Sequence, residues 1–180
     1  MLDRSRPSEH TANLLGVLAL VLHDRMTEAF ECPENAAATL SALLNFLHQP
    51  GVDRVHTVVG LPPSGTVRMI DRLELDGRVM RGPGADGRAR RVRLTRQGRA
   101  AARRVTNARG DVLQTALEPL SAEERRTLDS LLSRILVGMM RGPGAQRWMC
   151  RLCDMGACGR DEGRCPVATA ARERWAAERS

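Results

Sequence analysis

Apolar residues recur at intervals of three and four along most of this chain, which predicts a mainly helical protein. The first such run, from Leu14 to Phe30, is too apolar for a helix with one buried stripe and ends before Pro33. We therefore expect part of it to be buried against a second subunit. The predicted helices cover residues 10–31, 35–47, 52–59, 64–76, 96–117, 122–139 and 167–177.

Capping signals support two of these boundaries. Thr95 is a predicted N-cap for the fifth helix, because its hydroxyl can accept a hydrogen bond from the first turn. Ser121 and Glu124 form an S-x-x-E capping box at the start of the sixth helix.

The segment after residue 76 departs from helical periodicity. Gly82, Pro83, Gly84 and Gly87 break the helix, and the alternating run 90–94 is typical of a strand. These signals predict a β-hairpin directly after the fourth helix.

The fourth helix is predicted to have one apolar face formed by Val67, Ile70, Leu73 and Val79, with Met69 close to it. The residues left outside that face are polar or charged: Ser64, Arg68, Asp71, Arg72 and Asp76. The turn 60–63 separates this helix from the helix over 52–59, which is the order of a helix-turn-helix. A helix-turn-helix followed by a hairpin indicates a winged helix.

Positive charge is concentrated in this part of the chain. The net charge is +7, every basic side chain is arginine, and 13 arginines lie between Arg68 and Arg109 against four acidic residues. A solvated helix face normally mixes charges of both signs, so this concentration favours a phosphate-binding surface.

The hairpin and its flanks resemble the multiple-antibiotic-resistance regulator (MarR) family. The resemblance rests on Asp86-Gly87-Arg88, Leu94-Thr95 and Gly98, with Arg72-Leu73-Glu74 and Gly77 before them, and it covers roughly residues 10–140. Pro62-Pro63 before the recognition helix departs from the usual pattern. The resemblance implies that the helix over 64–76 enters the major groove and that Arg88 at the wing reaches the minor groove. It also implies a dimer in which the first and last helices of two chains interlock.

The predicted fold class is therefore mainly α with a small β-wing. A flexible N-terminus over 1–9 precedes a winged-helix domain over 10–141, whose DNA-binding core covers about 35–98. The dimerisation helices cover about 10–31 and 99–141, and a cysteine-rich, metal-binding tail covers 142–180.

We expect a homodimer to bind double-stranded DNA at a pseudo-palindromic operator, with arginines on phosphates and polar side chains on bases. In the resembled family most members are repressors. The predicted DNA-binding residues are Ser64, Thr66, Arg68, Arg72, Arg88, Arg90 and Arg91.

Four cysteines near the C-terminus are predicted to bind a metal. Cys150, Cys153, Cys158 and Cys165 have the spacing C-x2-C-x4-C-x6-C, and Pro166 follows the last. Four thiols this close in a reducing compartment favour a structural zinc or an iron-sulfur cluster over disulfides. The unequal spacing favours the cluster, and thiols that pair only under oxidative stress are the alternative.

Other function classes are less well supported. The chain has no nucleophile motif, no phosphate-binding glycine loop and no paired carboxylates, so a redox enzyme is a remote alternative. A non-specific DNA-binding module with a structural zinc remains open. The apolar run near the N-terminus is too short for a membrane span and lacks a cleavage site, which predicts a cytoplasmic protein. Cys32 is expected to be a buried structural thiol. The resemblance also implies an alternative role in peroxide sensing, which the absence of tyrosine from the sequence makes the weaker interpretation. The effector is either a small ligand or the redox or metal state of the cysteine site.

Overall fold

The computed structural model describes residues 9–83, 90–142 and 145–175. The predicted flexible N-terminus, apart from Glu9, lies outside the described residues, as does the wing tip that contains Arg88. The elements, in chain order, are α1 (Glu9–Ala29), α2 (Glu34–Asn45), α3 (Val52–Val59), α4 (Pro63–Leu75), β1 (Val79–Pro83), β2 (Arg90–Leu94), α5 (Arg96–Leu117), α6 (Ala122–Gly138), α7 (Ala145–Met149), α8 (Met155–Cys158) and α9 (Pro166–Arg174).

The main core is built around α2, which is buried along most of its length between α5, α3 and α4. Small side chains of α2 allow this close packing, and Leu40 is fully buried among them. Helices α3, α4 and α5 and the hairpin each contribute one apolar face, including Val55, Ile70, Val92 and Ala102. The predicted mainly helical winged-helix fold is confirmed.

The two strands form an antiparallel hairpin in which Val79 pairs with Leu94 and Pro83 with Arg90. Val92 also donates a backbone hydrogen bond to Pro50, which attaches the hairpin to the segment before α3. At the base of the hairpin, Gly98 in α5 lies against the backbone of Arg78. A Cβ at this position would lie 1.7 Å from the carbonyl oxygen of Arg78, so only glycine fits.

The capping predictions are confirmed. The Thr95 hydroxyl accepts a hydrogen bond from the backbone N–H of Gly98, with N···O 2.9 Å. Ser121 and Glu124 exchange the two hydrogen bonds of a capping box at the start of α6.

Helices α1 and α6 expose their apolar side chains. Neither helix contains a buried residue in the single chain, and α1 packs mainly against α5. Within the described residues, no helix has the combination of length and apolarity that crossing a membrane requires. The exposed apolar side chains on the two helices include Leu14, Leu15, Leu18, Leu131, Leu132, Ile135 and Met139.

Candidate nucleic-acid interface

The exposed face of α4 carries polar side chains, but it differs from the predicted face at two positions, Thr66 and Val67. Ser64 and Arg68 are exposed, as predicted. Thr66 is fully buried, and its hydroxyl donates a hydrogen bond to the carbonyl of Pro62 at 3.2 Å. A side chain that points into the core cannot contact a base, so the assignment of Thr66 to DNA binding was wrong.

The apolar face of α4 also differs from the predicted one, because the helix turns Thr66 and not Val67 towards the core. The inward positions are Thr66, Ile70 and Leu73, whereas Val67 is 42% exposed. Val79 is buried, but it belongs to β1 and not to the helix. The buried threonine satisfies its hydroxyl within its own helix, which allows it to occupy a core position.

Arg81 in β1 ties the wing to α4, and it was not among the predicted DNA-binding residues. Its guanidinium contacts the carboxylates of Asp71, at 2.6 Å, and Glu74. The Arg81 side chain is only 14% exposed, and its backbone N–H also donates to Glu74. These hydrogen bonds lower the pKa of Glu74, the backbone N–H of Arg81 contributing most. The sequence signal for this contact was the i, i+3 spacing of Asp71 and Glu74, which places two carboxylates on one face of α4.

The remaining predicted phosphate contacts lie near this unit. Arg72 is largely exposed, and its Nε lies 3.5 Å from a carboxylate oxygen of Asp76. In β2, Arg90 is exposed and Arg91 is half-buried. The structure therefore places an exposed polar helix face and basic strand residues on one helix-turn-helix and wing unit.

The four predicted metal-ligating cysteines lie in one small apolar cluster. Cys150 follows α7, Cys158 ends α8, and Cys165 precedes α9. We call residues 145–175, which contain them, the four-cysteine segment. The structure therefore brings the predicted ligands together from three short helices.

The thiols interact as two pairs. The interaction of Cys150 with Cys153 raises the pKa of Cys150 and lowers that of Cys153. Cys158 interacts with Cys165, and burial raises the pKa of Cys158. Within residues 9–83, 90–142 and 145–175, no three His, Cys, Asp or Glu side chains have the arrangement needed to hold a metal ion. The thiols are thus neighbours that are not arranged as a ligand set.

The four-cysteine segment contacts the helix-turn-helix directly. The Asn45 side-chain amide donates a hydrogen bond to the carbonyl of Cys153. Leu152 packs against the main core, and Arg151 lies 3.7 Å from Glu34. A Cβ built on Gly60, which ends α3, would lie 3.3 Å from Nε1 of Trp148.

The same segment also packs on α6 through α9. One side of the segment thus faces an exposed apolar helix, and the other faces the DNA-reading helices.

Two cavities flank Cys32, which is half-buried between α1 and α2. A cavity of about 260 Å³ lies towards α5, and one of about 560 Å³ lies towards α4. Arg78 lines both cavities and interacts with Cys32, whose pKa is raised by burial. Cys32 packs against the core, as expected of a structural thiol, but it is only partly covered.

Comparison with known proteins gives structural matches only. No family profile and no curated protein matches the sequence. A MarR family protein from Bacillus stearothermophilus is 24% identical, with a TM-score of 0.66 over 78% of this chain and 99% of that chain. The apo form of wild-type MarR from E. coli is 23% identical, with a TM-score of 0.57 over 73% and 98%.

A third structure is similar to the chain. The PcaV transcriptional regulator from Streptomyces coelicolor, in complex with its natural ligand, is 25% identical, with a TM-score of 0.50 over 75% of this chain and 95% of that one. Together with the helix-turn-helix, the paired wing strands and the long flanking helices, these matches show that the chain has the winged-helix fold of the MarR-family transcriptional regulators.

Proposed function

We propose that the protein is a dimeric, sequence-specific DNA-binding transcription regulator, most simply a repressor. The observation that carries the proposal is the Arg81 contact with Asp71 and Glu74, because it holds the wing and α4 as one rigid unit. That unit presents exposed polar groups on α4 and arginines on β2. Bases would be read by Ser64 and Arg68, and phosphates would be bound by the strand arginines.

The dimer is proposed from the exposed apolar faces of α1 and α6. So many exposed large apolar side chains on two long helices are unusual for a monomer, and they are removed from water when two copies pack together. A two-fold dimer would place two recognition helices on a pseudo-palindromic site.

Selection from a random duplex library tests this function. We expect the protein to enrich a pseudo-palindromic sequence, and we expect Arg68→Ala to lower affinity for it by about tenfold, the cost of one base contact. Arg134→Ala, on α6, is the matched control and should bind like wild type. Equal wild-type affinity for the enriched and unrelated duplexes at one salt concentration would instead support a non-specific DNA-binding module.

For the signal, we propose that Cys150, Cys153, Cys158 and Cys165 bind a metal as thiolates. Four sulfur donors suit zinc or an iron-sulfur cluster, and the unequal spacing favours the cluster. A cluster supplies a redox-active group, whereas zinc supplies a structural tie. The four cysteines already belong to one cluster, which supports a shared ligand set.

An absorption spectrum with metal analysis of protein purified without oxygen tests the metal. Iron with sulfide and a brown colour would support a cluster, and about one zinc per chain would support a closed four-thiolate site. A protein without metal would overturn the proposal.

A metal-free protein would direct the search for an effector to the cavities beside Cys32 and Arg78. The PcaV structure contains a natural ligand, which makes a small-molecule effector the second candidate for the signal.

A further inference from the structure

Four arginines from distant parts of the chain line one cavity of about 410 Å³. Arg54 comes from α3, Arg91 comes from β2, and Arg147 and Arg160 come from the four-cysteine segment. His48 and Gly51 complete its polar edge. We call these arginines the four-arginine site.

No carboxylate among the described residues lines the cavity; the acids next to two of these arginines in sequence, Asp53 and Asp161, are not part of its lining. The cavity lining includes no acidic residue, and among the described residues none of the four guanidinium groups forms an ion pair. Burial lowers the pKa of Arg147, and repulsion from Arg54 and Arg160 lowers it further. Like charges gathered around a cavity without a counter-charge favour the binding of an anion.

The site lies against elements of the DNA-reading unit. The Val92 hydrogen bond to Pro50 brings β2 to the start of α3, beside the cavity. Gly51 precedes α3 and supplies no side-chain cap, so the first backbone N–H groups of this eight-residue helix add to the positive potential. Phosphates bind well to such N–H groups combined with arginines.

The two arginines from the four-cysteine segment depend on the thiol cluster for their positions. Arg160 follows Cys158 by two residues, and its backbone N–H interacts with the Cys158 sulfur. Arg147 lies in α7, which packs on both α3 and α9. The segment therefore adds two cations to a surface that already has Arg54 and Arg91.

We infer that the four-arginine site binds the phosphodiester backbone of DNA beside the operator contacts of α4, and that the four-cysteine segment thereby contributes directly to DNA affinity. This inference rests on the proposed DNA-binding function. The four-arginine site binds a phosphate of the DNA, since the cavity is bordered by the first helix of the helix-turn-helix and by the wing.

The test is the salt dependence of binding to the enriched duplex. In Arg147→Gln/Arg160→Gln, the slope of log affinity against log salt should become shallower by about 0.9 for each lost phosphate contact per protomer. The lysine variant Arg147→Lys/Arg160→Lys keeps both charges and should keep most of the slope. Arg126→Gln/Arg134→Gln, on α6, removes the same net charge and should leave the slope near that of wild type.

The salt slopes and a phosphate control separate the possible results. An unchanged slope in the glutamine variant overturns the inference, provided that circular dichroism and metal content match wild type. Stabilisation of wild type, but not of the variant, by millimolar inorganic phosphate, with an unchanged DNA slope, would assign the site to a free anion and also overturn it. Absence of DNA binding by wild type would contradict the proposed function itself, which separates the two failures.

Discussion

The side-chain amide of Asn45, at the end of α2, donates a hydrogen bond to the backbone carbonyl of Cys153, with N···O 3.2 Å. The same nitrogen lies 3.0 Å from the carbonyl of Ser41 within its own helix. A core helix of the DNA-reading unit is thus joined to a thiol-bearing residue 108 positions later. This hydrogen bond is a direct contact between α2 and the backbone of the Cys150-Cys153 pair.

Replacing this amide should loosen the four-cysteine segment. Asn45→Ala leaves the Cys153 carbonyl without its donor, which costs about 1 kcal/mol for a partly buried hydrogen bond. Amide hydrogen exchange in the segment should be faster than in wild type. Asn107→Ala, in α5, is the control, and equal exchange rates in both variants would contradict this role for Asn45.

Removing the Arg81 guanidinium should weaken DNA binding more than it weakens the fold. Arg81→Met keeps much of the side-chain volume but releases the wing from α4, so affinity for the enriched duplex should fall severalfold. Because both partner carboxylates are more than a third exposed, the loss of folding free energy should stay near 1 kcal/mol or below. Duplex titration and urea unfolding measure the two effects, and Arg164→Met removes an exposed pair as the control. Unchanged DNA affinity would show that the wing is held in another way.

The Glu74 carboxylate should make this contact sensitive to acid. Its pKa is lowered in the folded state, so its contribution is fully present above the unfolded value of about 4.5 and is lost as the pH falls through the folded pKa. Wild type should be more stable than Glu74→Gln at neutral pH, and the difference should shrink below pH 4.5. Urea midpoints across this range measure it, and a constant difference would contradict the assignment.

The same substitution should change the free energy of unfolding in opposite directions at two glycines of α5. Gly98→Ala places a Cβ 1.7 Å from the carbonyl oxygen of Arg78, so we expect a loss of about 3 kcal/mol or more. At Gly110 the added carbon meets no described atom within 4 Å beyond the adjacent backbone of its own helix, so Gly110→Ala should stabilise the helix by about 0.5–1 kcal/mol. Chemical unfolding compares the two variants directly. A tolerated Gly98→Ala would refute the close approach at the base of the wing.

Charges on the exposed apolar helices should disrupt the proposed dimer. Leu18→Glu and Leu132→Glu each place a carboxylate where the second copy would pack, and burying an unpaired charge costs several kcal/mol. Sedimentation velocity should show a monomer for either variant. Leu75→Glu changes an even more exposed leucine on α4 and should leave the assembly intact. A dimer that survives both helix substitutions would have to use another surface.

The features that were predictable from sequence are those with local causes. Helix α3 has the predicted bounds, and Thr95 and Ser121 cap their helices as expected, because capping depends on residues within three positions of each other. The strand over 90–94 was also predicted, from its alternation and the glycines before it. These patterns, together with the motif resemblance, were sufficient for the winged-helix fold.

Only the tertiary structure decided which of two adjacent α4 residues is buried. Hydrophobicity favoured Val67, but the packing of α4 placed Thr66 inside, where its hydroxyl donates a hydrogen bond to the carbonyl of Pro62, the N-cap residue of the same helix. Contacts between distant segments were not predicted either. The i, i+3 spacing of Asp71 and Glu74 indicates a site for a cation but does not identify Arg81 as its partner, and no pattern places Arg147 near Arg54. The sequence by itself determined the bounds of α3, the strand over 90–94 and the capped starts of α5 and α6, because short-range hydrogen bonding controls those boundaries. The meeting of the arginines and the docking of the thiols on α2 depend on the three-dimensional path of the chain, which no local signal encodes.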